Sequence, residues 1–151
     1  MKTLLVPVDF SDATPGLLQH AVELARSLSG RIVLLHVSEP VATYVPVGAS
    51  MDVLSATPPP LEIENTKAQK ESLEKLADPL RAAGLGIETV AIIGLAVDDI
   101  IEQSEKLAAD YVVLASHGHG ALYHLFSGSV VTGVLRRTKV PVVVVPSHKK
   151  A

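Results

Sequence analysis

Five short apolar runs recur along the chain: Leu4–Val8, Arg31–Val37, Glu88–Ile93, Tyr111–Ala115 and Val140–Val145. None alternates cleanly between apolar and polar residues, so none reads as a strand with one wet face. Continuous, Val/Ile/Leu-rich runs of this length suit strands buried on both faces of a parallel sheet. Between them lie longer segments whose apolar residues return every three or four positions, the spacing of a helix face. Leu17, Ala21, Val22, Ala25 and Leu28 form one such stripe, and Leu73, Leu76, Leu80 and Ala83 form another. Ile100, Ile101, Ser104 and Leu107 form a third, and Ser129–Arg137 predicts a short last helix.

The punctuation agrees with this alternation. Thr14-Pro15 predicts a helix start, with Thr14 as the capping residue and Pro15 at the first helical position, and Gly30 predicts its end. Glu62–Ala83 predicts a long charged helix carrying Pro79 inside it, where the missing amide should produce a kink, and Gly84 and Gly86 end it. Asp98 or Asp99 is expected to open the third helix. Ser38–Pro60, with Gly48 and the run Pro58-Pro59-Pro60, predicts a long loop leaving the C-terminal edge of the sheet. No internal repeat or dividing linker appears. Residues 1–151 therefore predict a single doubly wound α/β domain with a five-stranded parallel sheet. Right-handed crossovers leave few arrangements, and an order of 3-2-1-4-5 puts the switch point between strands 1 and 4. Asp9 and the Ser116–Gly120 turn emerge there, at the crevice where such sheets bind ligands.

Composition narrows the class further. The 151 residues are 48% hydrophobic but only 3% aromatic, so the core must be built from Val, Ile, Leu and Ala. A formal charge of −3 with no basic stripe argues against a nucleic-acid partner. The absence of cysteine excludes a disulfide scaffold and thiol chemistry. Asp9 ends the first apolar run too early for a signal peptide, and no stretch approaches the ~18–20 residues that span a bilayer. The expectation is a cytoplasmic protein with no membrane partner.

Several familiar motifs are missing. There is no G-x-x-x-x-G-K-S/T phosphate loop, Gly118-His-Gly120 lacks the third glycine of a dinucleotide fingerprint, and there is no G-x-S-x-G elbow. His117, His119 and His124 lack the cysteines or the helical H-x-x-x-H pair that a zinc site would need. His36 lies within a strand and reads as a satisfied interior histidine, and no nucleophile with an adjacent base is visible. What remains is a split glycine pattern: Ala115-Ser116-His117-Gly118, nine intervening residues, then Gly128-Ser129. Glycines let backbone N–H groups approach an anion, and a helix starting at Ser129 presents unpaired N–H donors to it. Taken one at a time, Gly128-Ser129 reads equally as a helix cap, Gly118 and Gly120 as turn residues, and Asp9 as a cap or loop anchor.

This pattern resembles the G-x-x-G-(nine)-G-S/T signature of the ATP-binding universal stress proteins, with Ala115 in place of the first glycine. The resemblance extends to Val6-Pro7-Val8-Asp9, Leu34-Leu35-His36-Val37, Ala109-Asp110-Tyr-Val-Val and Val140–Pro146. It implies a flavodoxin-related, adenine nucleotide alpha hydrolase-like fold that binds ATP, ADP or AMP, with Mg a compatible companion. It also implies adenine and ribose near Pro7, Val8, Asp9 and Val37. Ribose and phosphate would lie on Ala115, Ser116, His117, Gly118, Gly128, Ser129 and Val130, and His119 is within reach of a polyphosphate. A non-enzymatic stress-response signalling protein is implied, acting as a homodimer through Val140–Val145, with Ser38–Pro60 or Gly118–Ser127 changing order on binding. Two alternatives stay open: a dimeric interaction or chaperone-like protein of the same fold that binds no nucleotide, and a slow ATPase.

Overall fold

The computed structural model of the chain describes residues 1–40, 60–116 and 129–147. The elements run β1 (Thr3–Pro7), α1 (Thr14–Ser27), β2 (Arg31–Ser38), α2 (Pro60–Ala82), β3 (Ile87–Ile93), α3 (Ala96–Lys106), β4 (Tyr111–Ala115), α4 (Ser129–Arg137) and β5 (Val142–Val145). All strand pairs are parallel, and the sheet order is β3-β2-β1-β4-β5, as the alternation predicts. Of the predicted long loop, residues 41–59 lie outside the described residues.

The two faces of the sheet carry separate apolar clusters, because successive strand residues point to opposite sides. Leu4 and Val6 of β1 and Ile32 and Leu34 of β2 meet Leu17, Leu18, Ala21 and Ala25 of α1 and Leu73 and Ala77 of α2. On the other side Leu5, Val33, Leu35, Val112 and Leu114 meet Ile100 of α3 and Val134 of α4. Ala77, not Ala83, completes the buried stripe of α2, because the helix ends at Ala82 and leaves Ala83 in the exposed turn. The helix runs on through Pro79 to that end.

Helix termini differ from the sequence expectation in instructive ways. Thr14 is the first residue of α1 and Ala13 holds the cap position, with no side-chain cap. The Thr14 hydroxyl is instead buried, with no hydrogen-bond partner among the described residues. At the other end Ser29, not Gly30, adopts the left-handed conformation (φ 49°), and the Gly30 amide closes back on the Ala25 carbonyl. Gly30 is needed for a different reason: a Cβ there would sit 2.8 Å from the Lys2 carbonyl oxygen. Helix α3 ends the same way through Ala108 (φ 46°), whereas α2 uses Gly84 (φ 86°), which bears that conformation without a steric penalty. Helix α3 starts at Ala96, ahead of the predicted Asp98 or Asp99, because Asp99 reaches back to accept from the Leu95 amide at 2.8 Å.

The central strands are anchored at the N-terminal edge by Asp110. Its carboxylate accepts from the Thr3 amide (2.8 Å) and from the Lys2 ammonium (2.8 Å), while its own amide donates to the Thr3 carbonyl. The Lys2 hydrogen bond, followed by the Thr3 amide, holds the Asp110 carboxyl below its usual value. A depressed carboxyl stabilises the fold above its unfolded-state pKa, and that contribution is lost as pH falls through the folded-state value. Asp110→Asn is therefore expected to be less stable than the parent near neutrality. The two thermal midpoints should converge as the pH drops below about 4, measured by circular dichroism melts across pH.

Candidate functional site

Strands β1 and β4 are ladder-paired only through Leu4–Tyr111 and Leu5–Val112. Their outer partners go further: β1 stays with β2 to Pro7–Leu35, and β4 stays with β5 to Ala115–Val145. The β1–β4 ladder ends at Leu5–Val112 because Pro7, whose nitrogen faces β4, has no amide to donate across. At the C-terminal ends of these strands the main chain leaves β1 through Pro7, Val8 and Asp9, and leaves β4 through Ala115 and Ser116.

Val8 has a buried side chain in the α1/α2 cluster, and its amide extends the β1–β2 ladder to the Leu35 carbonyl at 2.8 Å. It offers the site only backbone. Its carbonyl accepts from Nδ1 of His36 at 2.7 Å, so His36 is the bonded strand histidine that the sequence suggests. The His36 ring also meets Phe10 with centroids 4.6 Å apart. Phe10 takes a left-handed backbone (φ 58°), unusual for a bulky side chain, and reverses the chain directly after Asp9. Asp9 is exposed, and its Oδ1 accepts from the Ser11 amide at 3.0 Å, while Ser11 Oγ accepts from the Ala13 amide at 3.3 Å. One Asp9 oxygen therefore holds the turn, and no partner is recorded for the other among the described residues.

On the β4 side, Ala115 is an ordinary strand residue paired with Val145, and its methyl packs into the α1/α2 cluster. The departure from glycine at this position sets a half-buried methyl against that cluster. The Ser116 amide donates to the Val145 carbonyl at 2.8 Å, and its Oγ accepts from the Ser147 amide at 2.9 Å. Val37 and Val130 converge on the opposite face, both packed on the α3/α4 cluster. The fold thus brings Pro7, Val8, Asp9, Val37, Ala115 and Ser116 to one edge of the sheet, with Val130 in the first turn of α4 on the same face as Val37. Ser129 begins α4, and His117, Gly118, His119 and Gly128 lie outside the described residues.

The helix ends at this edge differ in charge. Helix α3 has Asp98 and Asp99 in its first turn, and Asp99 satisfies its N-terminus. Helix α4 has no acidic residue in its first turn and carries Arg136 and Arg137 in its last. Sequence reading missed His36 as the donor to Val8 and Phe10 as the turning residue, because both roles depend on the approach of β1 to β2. The one available signal was a histidine inside an otherwise apolar strand.

A doubly wound parallel sheet in the order β3-β2-β1-β4-β5 has its switch point between β1 and β4, the position at which sheets of this class take their ligands. The universal stress protein family model matches residues 1–146, and the chain belongs to that family. Universal stress protein MJ0531 of Methanocaldococcus jannaschii is 28% identical over 151 residues, spanning 99% of this chain and 84% of that one. Among solved structures, hypothetical protein MJ0577 superposes with a TM-score of 0.79 at 23% identity, covering 99% of this chain and 98% of its own. A universal stress protein in complex with cAMP aligns with a TM-score of 0.67 at 22% identity, over 96% of each chain. The Archaeoglobus fulgidus universal stress protein in complex with dAMP aligns at 0.63 and 20%, over 95% of this chain and 97% of that one. Among the described residues no helix is long and apolar enough to cross a membrane.

His36→Leu keeps the bulk in β2 but removes the donor to the Val8 carbonyl. We expect a loss of about 0.5–1.5 kcal/mol in unfolding free energy, read from urea titration, and an unchanged midpoint would refute the assigned bond.

Proposed function

We propose that this chain binds an adenine nucleotide (ATP, ADP or AMP) at the switch point, over the C-terminal ends of β1 and β4. It would act in the cytoplasm as a regulatory stress-response protein whose signal is the bound nucleotide, not its turnover. The reversal of strand order between β1 and β4 carries the reading, because it brings the strand ends at Pro7, Asp9 and Val37 to the switch point where sheets of this kind bind ligands. Asp9, anchored to the turn by one oxygen, has the other available for a ribose hydroxyl. An acid-free first turn in α4 suits phosphate, and any Mg would travel with it. The nucleotide complexes of the cAMP- and dAMP-bound relatives support the ligand class. Asp9 and His36, the described titratable groups at the switch point, are each bonded to backbone and not to a nucleophile, which favours binding over catalysis. In isothermal calorimetry, ATP and AMP should both titrate. Asp9→Ala should weaken binding about 10- to 100-fold, the worth of a hydrogen bond to a charged group. Asp9→Asn retains an acceptor for Ser11 and so separates the ligand contact from the turn. No heat at millimolar nucleotide would sink the proposal.

The assembly belongs to the same reading. Among the described residues strand β5 pairs with β4 on one side only, and Val144 is 38% exposed. A flat valine edge of this kind invites another strand, and a second copy supplies one by two-fold symmetry. The predicted Val140–Val145 strand shortens to Val142–Val145 in the fold. Sedimentation should give twice the 15.9 kDa chain mass, and Val144→Asp should return the monomer. A parent protein that sediments as a monomer would refute the dimer.

A further inference from the structure

Helix α4 contains a glycine at its fifth position, Gly133, although glycine weakens a helix interior. The reason lies across the interface with α3. A Cβ at position 133 would stand 2.8 Å from Val97 Cγ2 and 3.2 Å from Cγ1. Val97 is β-branched, and its χ1 is confined within a helix, so those methyls cannot swing aside cheaply. One turn further along the same face of α4, Arg137 pairs with Asp98, the residue after Val97. The first turn of α3 is therefore the seat of α4. That seat is itself tied to the strand ends, because the Gly94 amide donates to the Ser38 carbonyl at 2.8 Å and the Leu95 amide to Asp99. A continuous contact path thus runs from Val37-Ser38 through Gly94 and Val97 to Gly133. It continues one helical turn back to Ser129 and Val130.

We infer that Gly133 is a positioning residue for phosphate recognition: its missing side chain lets α4 seat on Val97, which sets where the α4 N-terminus meets the ligand. This rests on the adenine-nucleotide reading above. Alanine at 133 must displace α4 by about 1 Å to restore an ordinary carbon–carbon contact. The displacement moves the end of the site formed by α4 while leaving the Pro7, Asp9 and Val37 end in place.

The experiment compares adenosine and ATP titrations of the purified full chain by calorimetry. For Gly133→Ala, adenosine affinity should stay at the parent value, and the gain of ATP over adenosine should fall about tenfold. Gly133→Ala combined with Val97→Ala should restore that gain, which a general loss of stability would not do. Val97→Ile enlarges the same contact from the other helix and should reproduce the loss, which keeps the test open if Gly133→Ala fails to fold. A folded Gly133→Ala with an unchanged ratio overturns the inference, as does a loss that Val97→Ala does not repair. A parent protein that binds ATP no better than adenosine overturns this inference alone. A parent that binds neither overturns the nucleotide reading as well.

Discussion

The two central strands are pinned together at their N-terminal end, and their hydrogen-bond ladder stops at Pro7. Asp110 accepts from Thr3 and Lys2, and the ladder continues through Leu5 and Val112. Beyond that pair each strand stays with its outer neighbour, so the sheet continues as β3-β2-β1 on one side and β4-β5 on the other. Crossovers leave the two halves of the sheet in opposite directions at this point, which makes the C-terminal ends of β1 and β4 the switch point of the fold.

The two apolar clusters decide what each residue can present there. Val8 and Ala115 turn their side chains into the α1/α2 side, so their contribution is main chain. Val37 and Val130 pack on the α3/α4 side and line that face with methyls. Asp9 belongs to neither cluster. It is exposed because Phe10, in a left-handed conformation and leaning on His36, turns the chain away immediately after it.

Much of this was legible along the chain, and for physical reasons. Runs such as Leu4–Val8 and Tyr111–Ala115 are too uniformly apolar to tolerate a wet face, so parallel strands were the economical reading, and alternation with helical stripes then gave the sheet order. Gly84 marks its turn because only glycine takes a φ of 86° freely. Ser29 and Ala108 were not legible as helix terminators, since nothing in a serine or alanine announces a left-handed backbone, and adjacent strands impose it. Thr14 misled for a related reason: its hydroxyl is a good cap in isolation, but burial of the first turn of α1 turned it inward.

Ala115 and Gly133 show where local sequence stops being informative. The residue type at 115 departs from the family pattern, yet strand alternation sends the methyl into the core. Gly133 looks like an ordinary weak point in a short helix, yet it is where α4 meets Val97. By itself the sequence determined the elements, their order and the edge of the sheet at which chemistry can gather, because burial on both faces and helical spacing are local signals. Only the tertiary structure decided which side chains turn toward that edge, in what register β1 and β4 pair, and how closely α4 sits on α3. Those are distances between segments remote in the chain, and the chain in order carries no record of them.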